Sequence, residues 1–209
     1  IKMSKKYVII IGTGRCGTVS IAKLIDGCKN CCVYHEYKAP QGILPWNFNI
    51  NKARQRLKEL QSFQGQLVGD TAFYYLNYIE FFDNRLDNLK VVHIWRDKEE
   101  VVESFIRKTE KDGILRNHWH SSKRKDKIYK DSIWDIAFPD LDYTATKREA
   151  IAEYWELYMN RVKNLKTKNE IFWIYVYDLN KKEKQKELFD YLEIPEKDRV
   201  YRFVWENKG

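Results

Sequence analysis

Apolar positions along this chain fall alternately into continuous runs and helical stripes. Tyr7 to Ile11 (YVIII) is an unbroken apolar, β-branched run ending in glycine, the pattern of a strand buried on both faces of a parallel sheet. Ile21, Leu24 and Ile25 then share one helical face, and Gly27 is placed to stop that helix. Cys32 to Tyr34 predicts a short second strand, Asn51 to Phe63 an amphipathic helix, Leu67 to Asp70 a third strand, and Tyr74 to Phe82 an apolar helical segment. Val91 to Trp95 predicts another buried strand, and after Arg96-Asp97 the residues Val101, Val102, Phe105 and Ile106 lie on one helical face. Residues 111–146 are charged and aromatic with little periodicity, and are expected to form a long surface excursion of the kind that carries function. Ile151, Tyr154, Trp155, Tyr158, Val162 and Leu165 form a long stripe read as core packing. Ile171 to Val176 predicts a fifth strand, and Leu188, Tyr191 and Leu192 a last helix before Pro195. Strands alternating with helices predict an α/β fold: one three-layer domain over residues 1–209, with a mainly parallel sheet flanked by helices.

A length of 209 residues suits one such domain and is short for two with a linker. No stretch approaches the roughly 18–20 apolar residues of a membrane span, so a soluble globular protein is expected. Met3-Ser4-Lys5-Lys6 reads as a start behind two extra residues, leaving no room for a signal peptide. Cys16, Cys28, Cys31 and Cys32 make a poor disulfide framework and fit a reducing cytoplasm, the expected location. Cys28-x-x-Cys31 supplies only half of a tetrahedral zinc site, and no metal is expected. The formal charge of +8 favours anionic ligands and also suits nucleic acid. The densest basic runs, Lys123 to Lys127 and Lys181 to Lys186, are interrupted by acids and adjoin no aromatic stacking series, so they read as solvated faces.

The chemistry is concentrated in Gly12-Thr13-Gly14-Arg15-Cys16-Gly17-Thr18-Val19-Ser20, between the first strand and the first helix. Glycines there let the backbone turn sharply towards an anion, while amides at the helix start point at it. The string satisfies GxGxxG, and Glu36 ends the second strand where a dinucleotide fold places its ribose-binding acid, so an NAD(P)-binding Rossmann oxidoreductase is one reading. It also gives the GxxxxG part of a Walker A loop, but Thr18 stands at the lysine position, which disfavours ordinary ATP or GTP hydrolysis. A non-catalytic anion- or nucleic-acid-binding module is a third reading, motivated by charge alone.

These residues also resemble a known family. GTGRCGTVS is similar to the 5′-phosphosulfate loop of sulfotransferases that use 3′-phosphoadenosine 5′-phosphosulfate (PAPS), and VVHIWRDKEEVVESFIRK resembles their second signature, a strand ending in Arg with a Ser eight residues later. The resemblance implies a P-loop-like sulfotransferase topology and transfer of a sulfuryl group from PAPS to a hydroxyl, or less readily an amine, of a small-molecule or glycan acceptor. It implies that Arg96 and Ser104 hold the 3′-phosphate. Weaker likeness runs through Tyr175 to Leu179, Leu188 to Ile194, and the stretch from Trp134 to Trp155.

In-line sulfuryl transfer requires charge stabilisation on the departing oxygen. Arg15 is the candidate, its fixed positive fork needing no pKa adjustment. The amides of Gly14, Cys16, Gly17 and Thr18 and the hydroxyls of Thr18 and Ser20 are expected to complete the cradle that Gly12 opens. His35 and Glu36 end the second strand at the edge where a parallel sheet opens its ligand crevice, and in some sulfotransferases a Glu or His in this neighbourhood deprotonates the acceptor; Glu36 is the first candidate base and His35 the second. Asp70, on the same edge, is a candidate either to orient acceptor or base or to cap the backbone before Thr71, and Trp46 is a candidate for acceptor contact. His118, Trp119, His120 and Trp134 fall in loops and read as surface or packing residues.

Overall fold

The computed structural model describes residues 5–37, 48–112 and 146–205. Its centre is an all-parallel sheet of five strands in the order β2-β3-β1-β4-β5, where β1 is Lys6–Ile11, β2 Cys31–His35, β3 Leu67–Thr71, β4 Leu89–Trp95 and β5 Phe172–Tyr175. The helices are α1 (Thr18–Asp26), α2 (Ile50–Ser62), α3 (Ile79–Asp83), α4 (Lys98–Asp112), α5 (Lys147–Lys163) and α6 (Lys182–Tyr191). The three-layer arrangement follows from β1. Its side chains alternate, Ile9 and Ile11 entering the core beneath α2, α4 and α5, and Val8 and Ile10 the core beneath α1 and α6. All four are fully buried, each worth roughly 1.5–3 kcal/mol of apolar transfer, so β1 anchors both layers.

The expected α/β class is therefore the observed one, with local differences. The apolar segment after β3 winds first as a 3-10 helix, Phe73–Tyr78, and only then as α3, bringing Phe73, Tyr74, Tyr75, Leu76 and Tyr78 all into the core. Val176 leaves β5 to begin a 3-10 turn, Val176–Asn180, whose Leu179 is buried under α6. α4 continues to Asp112, into the stretch expected to be an excursion. Trp46, His118, Trp119, His120 and Trp134 lie outside the described residues. Thr146 and Glu149 close a capping box at the start of α5, fixing where that helix begins. Among the described residues no helix is long and apolar enough to cross a membrane.

Strand order is what periodicity does not give. β3 stands between β2 and β1, so β1 is flanked by β3 and β4. A dinucleotide-binding sheet places β2 beside β1, and the Rossmann reading of GxGxxG plus Glu36 requires that neighbourhood.

Candidate active site

Because every strand runs the same way, the residues following β1, β2, β3 and β4 gather at one edge of the sheet. The loop after β1 is tightly built. A Cβ on Gly12 would meet the Ile94 carbonyl oxygen at 2.4 Å and Cys16 Sγ at 2.6 Å, so the backbone passes where no side chain fits. Arg15 (φ 69°) and Gly17 (φ 93°) are left-handed, and Gly17 caps α1 without a side chain. Left-handed residues at a helix start turn successive N–H groups into a concavity suited to an anion, joined here by the first-turn donors that no helix satisfies internally. Cys16 points inward: its Sγ donates to the Thr13 carbonyl at 2.7 Å, and burial pushes the thiol up to about 12. It is a neutral packing group at physiological pH, contributing its backbone alone to the cradle. Ser20, one turn into α1, is also buried.

The two predicted signatures meet directly. Arg15 Nε donates to Ser104 Oγ at 2.9 Å across 89 residues of sequence, using one of the five N–H donors of a guanidinium. Arg96, at the end of β4, is held from several sides. Its Nε donates to Glu100 Oε2 (3.2 Å) and its Nη2 to Tyr177 Oη (3.2 Å), while Tyr177 donates to Glu100 Oε1 (2.6 Å) and Trp155 Nε1 to the Arg96 carbonyl (3.0 Å). Glu100 therefore sits where it partly neutralises the cation that the resemblance assigns to a phosphate.

His35 and Glu36 close β2. His35 Nε2 lies 3.0 Å from Thr18 Oγ1, and burial lowers its pKa to about 4, so the imidazole is neutral at pH 7 and engaged by the loop. Glu36 is left-handed (φ 49°), its N–H donating to the Thr71 carbonyl at 3.0 Å. Burial, then the charge of Asp70, raises its carboxyl to about 7 against the pull of Lys108. A group poised near neutrality is suited to accept a proton.

Of the two roles open to Asp70, the structure shows the one at the Thr71 backbone. It is sealed from solvent, paired with the fully buried Arg56 (3.1 Å), and accepts from the N–H of Thr71 (2.9 Å), the N–H of Tyr37 (3.2 Å) and the hydroxyl of Tyr75. Arg56 also donates to the Tyr37 carbonyl. The pair thus clamps the turn that presents Glu36, with the carboxylate buried against these partners. Burial raises the Asp70 pKa and Arg56 opposes the rise.

Two tyrosines that bond to this loop escaped the sequence reading. Tyr158 Oη accepts the Gly12 N–H at 3.1 Å and donates to the Phe73 carbonyl at 2.9 Å, and Tyr154 Oη accepts the Gly14 N–H at 3.5 Å. The stripe read as core packing is buried, but its hydroxyl tips brace the loop and take up one of the amides expected to face the anion. Their i, i+4 spacing, with both polar tips on the buried face, was the available signal. Among the described residues no cluster of three His, Cys, Asp or Glu side chains is disposed to hold a metal.

No family model matches the chain, and no curated protein matches it in sequence. Solved structures do share its fold. The sulfotransferase domain from the curacin biosynthetic pathway aligns at TM-score 0.51 and 14% identity, covering 93% of this chain and 76% of that domain. The sulfotransferase domain from the Synechococcus PCC 7002 olefin synthase aligns at 0.52 and 12%, covering 93% and 75%. The YorR protein from Bacillus subtilis, in complex with phosphorylated GDP, aligns at 0.53 and 14%, covering 90% and 96%. The shared architecture is an all-parallel five-stranded α/β sheet flanked by helices.

Proposed function

We propose that the chain is a sulfotransferase that moves the sulfuryl group of PAPS to a hydroxyl of a small-molecule or glycan acceptor. The observation that carries this reading is the Arg15–Ser104 hydrogen bond, which joins the residue expected at the 5′-phosphosulfate to one expected at the 3′-phosphate. Such a nucleotide carries anions at two places, and this edge of the sheet offers an amide cradle, Arg15 hydrogen-bonded to Ser104, and Arg96 at the end of β4. The likeness of the fold to two sulfotransferase domains agrees with it.

In this mechanism the cradle and Arg15 take up the charge that collects on the bridging oxygen as its bond to sulfur breaks. Glu36 accepts the acceptor's hydroxyl proton as the new oxygen–sulfur bond forms, and the desulfonated nucleotide, PAP, leaves. His35, kept neutral, orients Thr18 at the cradle. The carboxylate is the basic form of Glu36, so kcat should rise with pH through about 7 and level off above it. Glu36→Gln should remove that limb together with most of the turnover while sparing nucleotide binding.

Calorimetry with PAP is the direct test: micromolar binding is expected, and absence of binding by folded protein would refute the reading. The likeness to YorR, whose structure holds phosphorylated GDP, favours a phosphoryl transferase as the second reading. Thr18 in place of the Walker lysine counts against it. Nucleoside triphosphate turnover with no PAP binding would favour that alternative.

A further inference from the structure

At the edge of the sheet opposite the glycine loop, two cysteines stand together. Cys28 follows Gly27 at the end of α1, and Cys31 opens β2. A reverse turn joins them, its Cys31 N–H donating to the Cys28 carbonyl at 3.3 Å. Such a turn brings its first and fourth Cα atoms within about 7 Å, overlapping the roughly 4.4–6.8 Å that a disulfide spans. Each thiol is the largest single influence on the other's ionisation. The Val200 N–H lies 3.4 Å from Cys28 Sγ, and the Arg202 and Arg199 guanidiniums add positive potential. The neighbouring Cys31, with these groups acting against burial, lowers the Cys28 thiol to about 7, and Cys28 in turn pushes Cys31 upward. Asp198 and Asp26, on the Cys31 side, act in the same upward direction. Cys28 is buried, but Cys31 lines a surface cavity beside Lys29, Asn30, Gln66 and Pro195. Cys32 belongs to the opposite face of β2, packed against the other core, and cannot replace Cys31.

We propose that Cys28 and Cys31 form a thiol–disulfide exchange site that reacts with low-molecular-weight disulfides of the glutathione class. Exchange begins at the reachable sulfur. The Cys28 thiolate takes the Cys31 proton as Cys31 Sγ attacks one sulfur of the glutathione disulfide, forming a mixed disulfide and releasing one glutathione thiolate. Cys28 then attacks Cys31 Sγ, its proton going to a departing thiolate, and the second glutathione leaves. The pair gives up two electrons and two protons, and the small disulfide becomes two thiols. The closed bond ties the end of α1 to the start of β2, whose far ends bring Thr18 and His35 together. This site stands whether or not the opposite edge transfers sulfuryl groups.

The cut after Lys29 makes the test simple, because trypsin separates Cys28 from Cys31. After incubation of the folded protein with glutathione disulfide, the unreduced digest should contain the peptides ending at Lys29 and beginning at Asn30 joined, and dithiothreitol should part them. The joined species should persist in Cys32→Ser and vanish in Cys31→Ser. Cys28→Ser should accumulate glutathione on Cys31. Full alkylation of both Cys28 and Cys31 in the oxidised wild-type protein would overturn the proposal, as would joined peptides surviving in Cys31→Ser. The wild-type result decides the matter even if a variant folds poorly.

Discussion

β1 and β4 lie side by side and both lead into helices at the candidate site, yet they cross in opposite ways. β1 reaches α1 through residues 12–17, a glycine-bearing loop with two left-handed positions that presents its backbone. β4 reaches α4 through Arg96 and Asp97 alone and presents side chains, tied down by Trp155, Tyr177 and the hydroxyl that Tyr175 donates to Asp97. The first crossing owes its shape to where the chain can go; the second owes it to what neighbouring side chains hold. Changes at the first should therefore disturb fold and function together, and changes at the second should disturb recognition while leaving the fold in place.

The largest effect expected is at the one side chain the first crossing contributes. Arg15→Ala should lower turnover by roughly 10³-fold, about 4 kcal/mol, in steady-state assays of PAP release. Gly12→Ala follows: a Cβ 2.4 Å from a backbone oxygen should cost about 3 kcal/mol in denaturant unfolding, whereas Asp97→Ala in the second crossing should cost under about 1 kcal/mol. Equal losses at the two would erase the distinction. Arg96→Ala should weaken PAP by roughly 2 kcal/mol and leave adenosine 5′-phosphosulfate, which lacks the 3′-phosphate, nearly unchanged. Calorimetry with both nucleotides reads the difference, and equal weakening would move the 3′-phosphate elsewhere. Smallest is Glu100→Gln, which relieves Arg96 of a competing carboxylate and should tighten PAP by about 0.5–1 kcal/mol, less at high salt.

The same contrast governs what could be read in the sequence. All five strands were legible because each is an apolar run between breaking residues, and the first crossing was legible because glycines mark unusual backbone. The second was visible only as the spacing of Arg96 and Ser104. Strand order was hidden, since inserting β3 between β1 and β2 leaves no trace in local periodicity. Arg56 was hidden differently. It follows Ala53 and precedes Leu60 at core spacing in α2, and a charge within an apolar stripe signals a buried partner, but nothing in the sequence named Asp70 as that partner. Asp70 consequently read as orienting an acceptor or capping before Thr71, and its clamp on the turn at Tyr37 went unseen.

The Gly12–Tyr158 and Gly14–Tyr154 hydrogen bonds span 146 and 140 residues. During synthesis, at roughly 5–20 residues per second, the loop emerges well before the tyrosines that brace it. The early strand and helix can pair locally, but the amides of Gly12 and Gly14 have no tyrosine hydroxyl to accept them until α5 docks. Full anion affinity should therefore await the making and docking of α5, and a nascent chain halted before α5 would hold a premature, loosely formed cradle. Long-range closure of this kind slows folding, and it delays ligand binding until the rest of the molecule has assembled around the loop.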